Sequence, residues 1–392
     1  MSDTSHRLNA IDQLRGLVIV IMGLDHVRDF FSPFAYQPED LGQTSPELFF
    51  TRWITHFCAP VFVFLTGMSA FLFEQKVNDK TELRNFLLSR GLWLIFIELV
   101  VVNTSWKFAF LPWFFIQVIW VLGISMIILA GLIYLPKKVL GAVSVVIIVG
   151  HNLLDPIQAS TFGDWGWLWG LLHQNMWVPF NAQGAGLYIA YPIIPWFAVM
   201  ALGYAISGWL TENKNLLIAR SFWLGLLLFI GFIVLRLLNL YGDPQPWAEQ
   251  ERGAIYTFIS FLNTVKYPPS LLFLLMTLGP ALMLLSWLQK MTEKPGVEGA
   301  LRPLLLFGRV PFFYYVVHVP LIHGLAVLLF IITINAPVGW QMQGPNAFPQ
   351  GYQPDMYRLY GAWIVVTGIM YFACRWYAGF KTRHQHWLLR YL

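Results

Sequence analysis

Between Ile11 and Phe31 the chain reads IDQLRGLVIVIMGLDHVRDFF, an apolar stretch that places Asp25, His26, Arg28 and Asp29 together in its second half. A charged side chain near the centre of a bilayer costs roughly 2.5 to 3.5 kcal/mol, so such groups face protein or water and mark where chemistry is to be sought. On a helix His26 and Asp29 share a face, as do Asp25, Arg28 and Asp29. A carboxylate that holds one imidazole nitrogen leaves the other as a base for an attacking hydroxyl or amine. An ion-paired helix end at the interface is the alternative. It accounts for Arg28 and Asp29 but not for His26, one turn deeper.

Two further segments carry titratable groups of the same kind. Arg52 and His56 stand one turn apart, and Pro60, one turn later, kinks the helix or loosens its hydrogen-bond ladder. A snorkelling interfacial arginine and a satisfied core histidine are the plainer readings of these two. In GRVPFFYYVVHVPLIH, Gly308, Pro311 and Pro320 interrupt regular helix, and Tyr314 sits one turn below His318, able to donate to it or accept from it. His323 reads as a surface-facing residue lining a cavity that these costly groups would share. At 1.5 Å per residue His26 lies about 20 Å along the first helix. His56 and His318 fall at a similar depth, so imidazoles from three segments occupy one layer. His151 and His173 read as solvated residues at external loops, and His6, His384 and His386 as residues of the tails.

The elements that must hold these residues follow from composition. With 57% hydrophobic and 11% charged residues in a chain of 392, against about 25% charged in soluble domains, this is an integral membrane protein. No basic tract suited to nucleic acid occurs. Cys58 and Cys374 both fall in apolar segments, which excludes a secreted disulfide framework. The first apolar run is too long and too charged for a cleaved signal and serves as the insertion signal itself. Runs of about 20 apolar residues predict spans near 11–33, 50–73, 86–103, 112–135, 138–154, 186–209, 218–240, 267–288, 304–333 and 359–379. The expected fold is all-α, one polytopic membrane bundle of about ten helices over residues 1–392.

Lys and Arg collect in alternate connections, at Lys76, Lys80 and Arg84, at Lys137 and Lys138, and at Lys290 and Lys294, whereas segments 32–51, 155–187 and 336–357 contain none. By the positive-inside rule both termini, the tails 1–10 and 380–392, are cytoplasmic. The external segment 155–187, rich in Trp and Gly, suits an interfacial loop or a cap over a cavity. Arg15, Arg90, Arg302 and Arg309 lie at cytoplasmic helix ends, where topology alone explains them; a guanidinium cluster there would also hold phosphates. No Walker A sequence, GxGxxG or nucleophile elbow is present.

The run from Ile11 to Phe31, the stretch HFCAPVFVFLTGMSAFL and the distal LLLFGRVPFFYYVVHVPLIH resemble the catalytic domain of the heparan-alpha-glucosaminide N-acetyltransferase family, in particular its bacterial branch, and more distantly other transmembrane acyltransferases. The resemblance implies an enzyme of the bacterial inner membrane that takes an acyl group, typically acetyl, from cytoplasmic acyl-CoA to a sugar amine or hydroxyl on the far side. It carries over Arg15 and Gly16, His26 where the animal enzymes show an asparagine, the stretch around Pro60 and Gly67, and His318. It also departs from the family: the animal enzymes place their active histidine shortly after the first motif helix, and no histidine occurs here between Val27 and Phe50.

The expected roles are then catalytic for His26, Asp25, Asp29, His56 and His318, coenzyme binding for Arg15, Arg90 and Arg309, and substrate binding for Arg28, Arg52, Tyr314 and His323. His318 or Tyr314 would stabilise the oxyanion. Acetyl-CoA or another acyl-CoA is the co-substrate, no metal is expected, and the partners are membrane lipid and a saccharide acceptor, with self-association open. Two rival classes remain. A proton-coupled transporter would also use intramembrane Asp, His and Arg. A haem protein would draw axial ligands from His26, His56, His318 or His323, although the charges beside His26 make a polar home for a porphyrin.

Overall fold

Inside lipid a backbone must satisfy its own hydrogen bonds, and helix is the outcome the apolar runs dictate. The computed structural model describes residues 8–108, 112–182, 184–292, 294, 297–343 and 345–384. In chain order the elements are α1 (Asn9–Phe31), α2 (Pro46–Thr55), α3 (Cys58–Val77), α4 (Lys80–Ile97), α5 (Asn103–Lys107), β1 (Trp113–Ile116), α6 (Val118–Leu132) and α7 (Lys137–Gly150). There follow α8 (Gly166–Leu172), β2 (Met176–Pro179), β3 (Gly186–Ile189), α9 (Ile193–Leu210), α10 (Lys214–Leu238) and α11 (Ala254–Leu262). The last are α12 (Leu271–Thr292), α13 (Glu298–Arg309), α14 (Pro311–Ile334) and α15 (Met356–Arg383). Among the described residues eight helical stretches are long and apolar enough to cross a membrane. The apolar but shorter α6 and the long but more charged α1 complete the expected ten.

Two compact units emerge, one from the described residues within Met1–Cys58, Asn213–Gly225 and Ala281–Leu392, the other from Ala59–Glu212 and Leu226–Pro280. In the first unit α13 runs antiparallel to α1, because Gly16 faces Leu304 and Gly308 faces Asp12. The chain then reverses, and α14 runs parallel to α1, with His26 beside His318 and Phe30 beside His323. The span expected over 304–333 is therefore two helices. Val310 leaves helical geometry (φ −130°, ψ 47°) and Pro311 opens the next helix, since a residue before proline is pushed out of the α region. Likewise the second expected span divides at His56 and Phe57, where Pro60 offers no N–H to the His56 carbonyl.

The second unit contains what the apolar pattern hid. A three-stranded sheet in the order β1-β3-β2, parallel between β1 and β3 and antiparallel between β2 and β3, occupies the first residues of two expected spans, so the helices α6 and α9 start later. Asn103 stitches the sheet to the preceding helices: its amide donates to the Glu98 and Phe115 carbonyls at 2.8 and 3.0 Å and its oxygen accepts from the Phe115 N–H. Periodicity cannot separate a short apolar strand from the end of a helix, which is why the expected spans include these strands.

The first unit depends on two glycines. A Cβ on Gly16 would fall 1.9 Å from the Leu304 carbonyl oxygen, and one on Gly308 would fall 1.7 Å from that of Asp12. Both obstacles are backbone, so α13 would have to move away from α1. Gly131 of α6, with nothing within 4 Å of its would-be Cβ, is the internal comparison. We expect Gly16→Ala and Gly308→Ala to lose about 1 to 3 kcal/mol of stability through overpacking and Gly131→Ala to lose none. Thermal unfolding of the purified protein in detergent checks this; equal midpoints for all three would refute the close approach.

Candidate active site

The far half of α1 is held from several directions. Trp363 of α15 donates its indole N–H to the Val20 carbonyl at 2.9 Å, and Cys58 donates its thiol to the Val18 carbonyl at 3.1 Å. At the helix end Arg358 donates to the Phe31 carbonyl at 2.6 Å, the placement a cation takes at a helix C-terminus. Ser32 accepts from the Asp355 N–H, and Tyr352 donates to the Pro33 carbonyl.

Within this frame His26 and His318 meet. The Nδ1 of His26 lies 2.7 Å from the Nε2 of His318, the rings are stacked with centroids 4.8 Å apart, and both residues are buried. The direction of this hydrogen bond follows from the other end of the chain. His318 Nδ1 lies 2.7 Å from the Tyr315 carbonyl and 3.0 Å from that of Tyr314. A carbonyl only accepts, so His318 Nδ1 carries its proton and, in the neutral ring, Nε2 carries a lone pair. His26 Nδ1 must then donate. The basic lone pair of the neutral pair ends up on His26 Nε2, and the group orienting His26 is His318, where the helix spacing suggested Asp25 or Asp29. Tyr314 contributes to this pair its backbone oxygen. Its phenol hydroxyl is buried without a hydrogen-bond partner among the described residues, in a ring 5.2 Å from that of His318.

The carboxylates instead enter a chain of ion pairs. Asp29 accepts from Arg28 at 2.6 Å, Arg28 reaches Asp25 at 2.6 Å, and Asp25 accepts from Arg52 with its other oxygen. Arg52 donates through Nε to Glu39 at 2.8 Å, and His56 Nε2 stands 3.4 Å from the same Glu39 oxygen. Three carboxylates against two guanidiniums leave one net negative charge, which protonation of His56 would cancel. Asp29 and Glu39 are the more exposed members, at 33% and 27% of the side chain, and His56 and the two arginines the more buried, at 1% and 10% each. Arg52 is thus a bridge between α2, α1 and the preceding loop and not a snorkelling side chain. Glu39 escaped the reading of the sequence; an acid in a segment without Lys or Arg, a few residues before a helix bearing Arg52, is the signal that would have found it.

The remaining candidates separate. Arg15 donates to Asp12 at 2.9 Å and to the Gly308 carbonyl at 3.3 Å, which brings it beside exposed Arg309 at the start of α1. Arg90 belongs to α4 of the second unit. His323 is fully buried and stacked on Phe30 with centroids 4.6 Å apart, so it is a core ring and not a surface one. His151 and His173, expected in solvent, are each 2% exposed: His151 donates to the Pro269 carbonyl at 2.7 Å and His173 contacts Asp155 at 3.0 Å. Of the tail histidines His384 is exposed, whereas His6 and His386 lie outside the described residues. Among the described residues no group of three or more His, Cys, Asp or Glu side chains is suited to a metal ion.

Apolar spans around a buried, polarised imidazole pair define a polytopic membrane protein equipped for acid–base chemistry. The chain belongs to the family described as heparan-alpha-glucosaminide N-acetyltransferase, catalytic, whose sequence pattern matches residues 7–239. That match contains His26, Arg28, Glu39, Arg52 and His56 but stops before α14, so the distal resemblance around His318 lies outside it. No curated protein matches the chain.

The ion-pair chain has a pH signature. Burial opposes ionisation of Glu39, but the Arg52 guanidinium and the His56 imidazole outweigh it and hold the carboxyl well below the usual range. A pKa depressed by folding contributes stability above the unfolded value of about 4.3, and that contribution is lost as the pH falls through the folded value. We expect Glu39→Gln to cost about 1 kcal/mol at pH 7, a charged hydrogen bond discounted for partial exposure, and the gap to wild type to close below about pH 4. Unfolding midpoints across that range check it; a gap independent of pH would refute the ionised contact.

Proposed function

We propose that this membrane acetyltransferase-family protein moves an acyl group, acetyl or longer, from cytoplasmic acyl-CoA to a sugar amine or hydroxyl on the extracytoplasmic side of a bacterial inner membrane. The observation that carries the reading is the polarity of the imidazole pair. A carbonyl fixes His318, His318 fixes His26, and His26 Nε2 is left as the base. The acceptor hydroxyl or neutral amine gives its proton to that nitrogen as its oxygen or nitrogen attacks the thioester carbonyl. The tetrahedral intermediate collapses with cleavage of the C–S bond, and the leaving thiolate takes the proton back from His26. Both nitrogens of His318 are committed, so of the two oxyanion donors expected, the buried and unpartnered Tyr314 hydroxyl is the better suited.

The arrangement along α1 supports a donor entering from one end and an acceptor from the other. Arg15 and Arg309 mark the end that the positive-inside rule assigns to the cytoplasm, where coenzyme phosphates would bind. His26 stands about 16 Å further along the helix, a span for the pantetheine arm. The ion-pair chain, with Asp29 and Glu39 toward its more exposed edge, would receive the acceptor.

His26 is the catalytic base in this scheme and His318 a positioning residue. With radiolabelled acetyl-CoA and a panel of amino sugars and glycans, His26→Ala should lower turnover by about 10² to 10⁴. His318→Leu should lower it also and displace the pH–rate profile, whereas His318→Gln, whose side-chain oxygen can still accept from His26 Nδ1, should recover part of the activity. Thioester cleavage unaffected by His26→Ala, or substrate flux into proteoliposomes without any thioester consumed, would overturn the assignment.

A further inference from the structure

Five lysine and arginine side chains are buried among the described residues, and four of them are satisfied within the protein. Arg28 and Arg52 hold carboxylates. Lys107 donates to the Trp113 carbonyl at 2.5 Å, and Arg236 donates to the carbonyls of Phe261, Gln245, Ser260 and Asn263 at 2.7 to 3.0 Å. Lys266 is the exception. It is 7% exposed, and among the described residues its ammonium has neither a hydrogen-bond acceptor nor a counter-ion; what it meets is the Tyr267 ring, 5.1 Å away at its centroid. A ring face attracts a cation but accepts none of its three N–H donors in the way an oxygen does, so the ammonium, at the end of an enclosed stem, keeps those donors for water or a ligand.

Position does not account for Lys266 either. It closes the segment 241–266, which the alternation of spans puts on the face otherwise poor in Lys and Arg. It is also held there rigidly. Buried Asp243 accepts from the Val265 N–H at 2.9 Å and the Ser270 hydroxyl at 2.6 Å, Ser270 N–H returns to the Val265 carbonyl at 2.9 Å, and His151 donates to the Pro269 carbonyl. Lys266 and Pro269 pair across this turn. Tyr267 stands edge-on to Tyr191 with centroids 5.3 Å apart, and within electrostatic reach of Tyr188, to whose hydroxyl Asn175 donates at 3.4 Å. The ammonium is thus held on a fixed turn beside the Tyr267 ring, with the phenols of Tyr191 and Tyr188 grouped around that ring.

We propose that Lys266, with Tyr267 and Tyr188, forms an oxyanion-binding subsite in the second unit, taking the sulfate, phosphate or carboxylate group of a small ligand. The proposal stands apart from the acyl-transfer reading, since it uses neither imidazole nor thioester. It is tested on the full-length protein in detergent with sodium sulfate, sodium phosphate and sodium glucuronate, each against sodium chloride at equal ionic strength. At least one oxyanion should bind saturably and raise the unfolding temperature, and which of the three does so names the group. Lys266→Met should weaken that binding about tenfold or more, the scale of a lost charge-assisted hydrogen bond, while Lys266→Arg keeps it. Modification of wild-type Lys266 by an amine-reactive reagent should slow in the bound oxyanion, a readout that survives if the methionine variant does not fold. No oxyanion bound above chloride, equal affinity in Lys266→Met, or unchanged modification of Lys266 would overturn it.

Discussion

The first unit turns on Asp25, a carboxylate shared by two guanidiniums. One of its oxygens takes Arg28 from the same helix and the other takes Arg52 from α2. No member of such a set can be removed cheaply: breaking a buried pair by deleting one partner costs about 3 to 5 kcal/mol because the survivor is left uncompensated. The shared carboxylate therefore joins α1 to α2. Through Arg52 it also draws the loop residue Glu39 into the unit. The next residue of the chain after Asp25 is His26, so the network that pairs the charges also fixes the backbone from which the imidazole projects.

Backbone contact supplies a second constraint of equal reach. In lipid there is little hydrophobic drive between helices, and close packing at small residues replaces it. Gly16 and Gly308 let α1 and α13 touch main chain to main chain, and Arg15 reaches across to the Gly308 carbonyl. That contact fixes where the chain reverses at Val310 and hence the register in which α14 returns. His318 arrives opposite His26, and His323 opposite Phe30, as a consequence of it.

Much of this was legible in the residues because lipid permits so few solutions. Charges inside an apolar run had to be internal, Pro60 and Pro311 mark helix breaks although Pro320, expected to do the same, stays within α14, and the number of spans followed from length. What stayed hidden was pairing between distant segments. The spacing of His26 and Asp29 on one helix is a local fact, and it suggested a carboxylate as the orienting group; the stronger partner came from a residue nearly three hundred positions away, and each aspartate had a guanidinium nearer at hand. Loop histidines looked solvated because position in a loop says nothing of burial: His151 and His173 are enclosed by the turn at Pro269 and by Asp155. The sheet was invisible for a different reason, since four apolar residues carry no period long enough to distinguish strand from helix.

The imidazole pair is divided between two parts of the chain. The matched segment ends at residue 239 and includes His26 with all six members of its ion-pair chain, whereas His318 arrives on α14. A carboxylate in the place of His318 would have brought another charge to neutralise inside the membrane. A second neutral imidazole, held by main-chain carbonyls, orients the first without adding charge to a low-dielectric interior. It also accounts for the broken helix: the reversal at Val310 lets α13 pack antiparallel against the first half of α1 while α14 runs parallel to the second, so one stretch of chain supplies both the helix contact and the partner of His26.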